Sequence, residues 1–145
     1  MTILNQFEVS DNITTSGQPT QDQFAQISAS GHSVVINLAM PDHENSISNE
    51  GEIVTSLGMT YIHIPVPFEA PKEYHYEMFC GYMDSLRTSK VWIHCIVNAR
   101  VSAFLYRYLQ SFRGYSEIQA TTPILEAWLP QMDKVWSKFI GHEQA

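Results

Sequence analysis

Three short apolar runs punctuate the chain: Ser33–Ala39, Thr60–Val66 and Lys90–His94. Each is rich in β-branched or aromatic residues and gives way to loop formers, so each predicts a buried strand. Phe7-Glu8-Val9 predicts a further edge strand. Between them the period changes to that of a helix. Thr20 caps a predicted helix through Phe24, Ile27 and Ala29, ended by Gly31. Asn49 to Leu57 predicts a second helix, ended by Gly58. Lys72 to Leu86 predicts a third, with Phe79, Tyr82, Met83 and Leu86 on one stripe. The clearest helix is Arg100 to Phe112, where Val101, Phe104, Leu105, Tyr108, Leu109 and Phe112 repeat at helical spacing before Gly114. Two more are predicted at Pro123 to Leu129 and Gln131 to Ile140. Strands alternating with helices imply βαβ units. The expected class is α/β, in three layers, with a mainly parallel sheet of four to five strands covered by helices on both faces. Ligands of such sheets bind beyond the carboxyl ends of the strands, here just after Ala39, Val66 and His94.

A chain of 145 residues suits one domain, expected to span 1–145 with its core between about Phe7 and Ile140. No apolar run approaches the ~18 residues of a membrane span. Met1 to Gln6 has neither the basic nor the apolar region of a secretory signal. Two cysteines, Cys80 and Cys95, make no disulfide framework, so a cytoplasmic protein with free thiols is expected. The net charge is −7, and no Lys or Arg precedes Lys72 although eight acids do. This argues against nucleic-acid and anionic-membrane partners. It also means that an anionic ligand needs a local positive site. His43, His63, His75 and His94 match no zinc spacing, so no metal and no cofactor are expected.

One segment supplies a positive site. The third strand runs into His94-Cys95-Ile96-Val97-Asn98-Ala99-Arg100-Val101-Ser102. A cysteine stands at the strand end, four residues follow, and an arginine opens a helix. Loop N–H groups and a helix N-terminus together attract an anion. Arg100 adds a planar fork that matches two oxyanion oxygens. The same field favours the Cys95 thiolate, the nucleophilic form. An arginine in a first turn opposes the helix dipole, and an anion held between the two removes that conflict.

These residues resemble the cysteine-based protein phosphatases, in particular a small bacterial phosphatase-like domain also found fused to β-lactamase-like hydrolases. Ser16-Gly17-Gln18-Pro19-Thr20 is similar to that family's opening. Val35-Ile36-Asn37-Leu38, with Glu44, Glu50 and Leu57 through Val66, is similar to its middle. His94-Cys95 through Arg100 is similar to its catalytic loop. The resemblance implies a protein tyrosine phosphatase-like fold and phosphate monoester hydrolysis on a phosphorylated small molecule or protein. Cys95 would be the nucleophile of a thiophosphate intermediate. Arg100, with the N–H groups of Ile96, Val97, Asn98, Ala99 and Arg100 itself, would hold a phosphate or sulfate. His94 would orient the loop, and Asn98 stands where a glycine is usual.

Four residues separate Cys95 from Arg100, whereas the common phosphatase loop has five. Rhodanese-type sulfurtransferases share the spacing of four, so a Cys95 persulfide is an alternative; a non-catalytic phosphate-binding module is another. Val101 replaces the usual hydroxyl after the arginine, which leaves Ser102 as a supporting surrogate or as a helix-surface serine. Pro67 stands where the family's general acid commonly follows the strand. Glu69 and, less favoured, Asp42 are the candidate proton donors at the same strand mouth. Tyr74 and Tyr76 offer rings for an aryl group, and Cys80 offers a second thiol. In each of these two cases ordinary packing is the competing reading.

Overall fold

A computed structural model describes residues 2–142. Five strands form one sheet in the order β1-β2-β5-β3-β4, where β1 is Phe7–Ser10, β2 Ile13–Ser16, β3 Val34–Asn37, β4 Thr60–His63 and β5 Val91–His94. The β2–β5, β5–β3 and β3–β4 pairings are parallel, and β1 joins antiparallel at the edge. The expected class and the upper strand count are both met. β2 escapes the sequence pattern because Ile-Thr-Thr-Ser is short and mostly polar, yet every residue of it is buried by β1 and β5. The three apolar runs are longer than the strands they contain. β3 ends at Asn37, whose Oδ1 accepts the Ala39 N–H and turns the chain out of the sheet.

Helices cover both faces. α1 (Gln21–Ala29) begins at Thr20, which makes a reciprocal capping box with Gln23. α2 is Glu50–Ser56, α3 Glu73–Ser85 and α4 Ala99–Arg113. The short α5 (Glu117–Ala120), which has no apolar stripe to announce it, precedes α6 (Pro123–Trp128), a 3-10 turn at Leu129–Gln131, and α7 (Lys134–Phe139). Strand side chains alternate between two cores. Val34, Ile36, Val91 and Ile93 face Phe79, Met83, Phe104, Tyr108 and Trp136. Val35 and Trp92 face the other way, onto Phe24, Ile27, Ile53 and Val54 of α1 and α2. This two-sided burial explains why the strands read as continuous apolar runs.

Candidate active site

β3, β4 and β5 lie side by side in parallel, so their carboxyl ends open at one edge of the sheet. A cleft of about 560 Å³ lies there, lined by Met40, Asp42 and His43 after β3, by Pro67, Phe68 and Glu69 after β4, and by Ile96, Val97 and Arg100 after β5. The three strand ends chosen from the sequence thus meet in one place. Glu69 and Asp42 both line the cleft and are exposed.

Cys95 follows β5 directly and is fully buried, beneath the surface that lines the cleft. The loop after it is held from three sides. Gln18 N–H donates to the Ile96 carbonyl (2.9 Å), Asn5 Nδ2 to the Val97 carbonyl (2.9 Å), and Asn98 Nδ2 to Asn5 O and Thr15 Oγ1. Gly17 is required by this packing, because a Cβ there would lie 2.5 Å from the Ile96 carbonyl oxygen. Asn98 adopts φ 72°, the left-handed conformation that Asn tolerates better than most residues. Among the described residues, no backbone acceptor takes the N–H groups of Ile96, Val97, Asn98, Ala99 or Arg100. Ser102 is not a helix-surface serine: it is fully buried, and its hydroxyl donates to Asn98 Oδ1 (3.3 Å).

Arg100 is only 6% exposed. Its Nη1 donates to the Val66 carbonyl (2.8 Å), its carbon lies 5.7 Å from the centre of the Phe68 ring, and its buried Nε has no partner among the described residues. A buried guanidinium N–H without an acceptor is costly, and Arg100 is also one of the residues that line the cleft. Phe68 is itself held in place. Trp136 Nε1 donates to its carbonyl (2.7 Å), and the Trp128 and Trp136 rings pack on it.

A buried hydrogen-bonded pair, Glu50 and His94, underlies the loop. Glu50 (3% exposed) accepts from His94 Nε2 (2.7 Å), Gln18 Nε2 (2.7 Å) and Tyr61 Oη (2.9 Å). The other ring nitrogen of His94, Nδ1, faces the Cys95 carbonyl at 3.0 Å. Both ring nitrogens of His94 therefore lie against oxygens. Burial pushes the Glu50 carboxyl up, but the hydrogen bond and charge of His94, with the donors of Gln18 and Tyr61, outweigh it and hold the group below its ordinary range. Burial and the Glu50 charge push the Tyr61 hydroxyl upward. The sequence offers Glu50 as one of the residues of the family resemblance, but its partner 44 residues away is not readable there.

Other candidates lie elsewhere. Tyr76 packs under the Arg107 guanidinium, 3.7 Å from its ring centre, and Tyr74 is exposed on α3; neither lines the cleft. Phe68 is the aromatic residue there. Cys80 is buried in α3, where burial pushes its thiol up. A separate hollow of about 610 Å³ carries Arg107, but that guanidinium already holds Glu73 through two hydrogen bonds. Among the described residues no cluster of His, Cys, Asp and Glu suits a metal ion, and no helix is long and apolar enough to cross a membrane.

Known proteins share this fold. The family model of the DSP-PTPase phosphatase of polymorphic toxin systems matches residues 11–111. A solved structure from Shewanella putrefaciens CN-32, of the DUF442 phosphatase group, is 29% identical, with 95% of this chain and 89% of that one covered and a TM-score of 0.85. Two more distant structures share the fold. Tk-PTP in its active form has 16% identity, coverage of 94% and 93%, and a TM-score of 0.74. The core catalytic domain of the PP-IP phosphatase SIW14 from S. cerevisiae, in complex with citrate, has 12% identity, coverage of 99% and 88%, and a TM-score of 0.75. No curated protein sequence matches the chain significantly. Nothing among these relatives favours the sulfurtransferase alternative.

Proposed function

We propose a function on one premise: the chain belongs to the DSP-PTPase phosphatase family of polymorphic toxin systems. The proposal is hydrolysis of a phosphate monoester through Cys95. The observation that carries it is the buried Arg100 guanidinium, with an unpartnered Nε, at the mouth of a loop whose N–H groups find no backbone acceptor. The Cys95 thiolate attacks phosphorus, an S–P bond forms and the P–O ester bond breaks. Arg100 and the loop N–H groups hold the phosphoryl oxygens, whose charge they oppose as it shifts. The Glu69 carboxyl gives its proton to the leaving oxygen. It then takes a proton from the water that attacks phosphorus, as the S–P bond breaks and phosphate leaves. Asp42, at the same mouth, is the second candidate for this proton. Glu50 is a positioning residue: it holds His94, and His94 holds the Cys95 carbonyl. The proposed setting is a reducing, cytoplasmic one, supported by two unpaired cysteines.

The test is hydrolysis of p-nitrophenyl phosphate by wild type, Cys95→Ser, Arg100→Ala and Glu69→Gln. This leaving group needs little acid help, so it reads the nucleophile and the cradle. Loss of turnover in the first two variants supports the proposal. Turnover that survives Cys95→Ser overturns it, and a wild type that binds phosphate without turnover is a binding module instead.

A further inference from the structure

The cleft has an unequal charge. Among the described residues its titratable lining groups are Asp42, His43, Glu69 and Arg100, so these supply one permanent cation, and that cation is 6% exposed at the phosphoryl end. Toward the mouth, the exposed charged groups are the two carboxylates. The loops that supply them belong to the part of the chain with no Lys or Arg before Lys72. Between the mouth and Arg100 stands Phe68, 37% exposed and clamped by Trp128 and Trp136. The Arg100 guanidinium lies over the Phe68 ring, so the mouth beyond it is left to the carboxylates, which attract a cation and have nothing to offer a second anion.

We infer that this cleft selects a single phosphate monoester with a positive charge beside it, and rejects substrates that carry further negative charge. The inference rests on the reading of Cys95 and Arg100 as the phosphoryl site and names the substrate chemistry of that site. Arg100 takes the phosphate and Asp42 takes the neighbouring cation, while Glu69 stays with the leaving oxygen. Inositol polyphosphates and peptides with acidic flanks meet two carboxylates at the entrance without a compensating lysine or arginine.

The experiment compares two phosphotyrosine peptides that differ only in their flanks, two lysines in one and two glutamates in the other, with inositol hexakisphosphate alongside. Both peptides are also titrated into the Cys95→Ser protein. The lysine-flanked peptide is expected to lead by about tenfold in kcat/KM, and in Kd for the serine variant, at low salt. The lead should fall severalfold in Asp42→Asn and shrink as salt rises. Equal rates and affinities, a preference for glutamate flanks, or faster turnover of the polyphosphate overturns the inference. If no phosphate ester is turned over, the proposed function fails, while the Kd ratio still decides the charge selection.

Discussion

Replacing Glu50 by Gln removes a charge and almost no volume. In the native network Glu50 accepts three hydrogen bonds, from His94, Gln18 and Tyr61. A glutamine keeps one oxygen for Gln18, and its amide N–H meets His94 Nε2. The ring can accept that bond only as neutral imidazole, with its proton on Nδ1 facing the Cys95 carbonyl. Tyr61 loses its carboxylate acceptor. One charge-assisted hydrogen bond lost is worth about 2 kcal/mol. That is the expected destabilisation at pH 7.5. In the wild type, the depressed Glu50 carboxyl contributes stability that is present above its ordinary value of 4.5 and is lost as pH falls through the folded value. Glu50→Gln has no such carboxyl, so the gap between the two proteins is expected to hold from pH 7.5 to 5.5 and to narrow below about pH 4.5. Urea unfolding followed by tryptophan fluorescence at pH 7.5, 5.5 and 3.5 measures it. No gap at pH 7.5, or a gap that widens below pH 4.5, would refute Glu50 as the charged acceptor of this network.

Three further expectations concern the loop. Arg100→Lys keeps the charge but loses the fork and the bond geometry to the Val66 carbonyl; kcat for p-nitrophenyl phosphate should fall on the order of 10²-fold, with the fold retained by circular dichroism. Gly17→Ala drives a methyl against the Ile96 carbonyl, so it should cost at least about 1 kcal/mol in urea unfolding and raise KM for the same ester. Asn98→Ala loses donors to Asn5 and Thr15 and strains a left-handed backbone, for about 2–3 kcal/mol; Asn98→Gly recovers the backbone part, and the difference between the two melts reads it.

The sequence by itself determined what is local. The apolar runs mark β3, β4 and β5; Thr20 caps α1, and Gly31, Gly58 and Gly114 take the positive φ that ends α1, α2 and α4. The strand–Cys95–loop–Arg100–helix segment is also legible, because its chemistry is carried by nine consecutive residues, His94 to Ser102. Tertiary structure decided the rest. β2 is a strand only because β1 and β5 pair with it. Ser102 reads as either a supporting hydroxyl or a surface residue until its bond to Asn98 and its burial are seen. Phe68 becomes the wall of the cleft through Trp136, 68 residues on, and Glu50 becomes the hydrogen-bond partner of His94 across 44 residues. Helix and strand periods reach only a few positions along the chain. A buried polar group, by contrast, must find its partner wherever the topology brings one within about 3 Å.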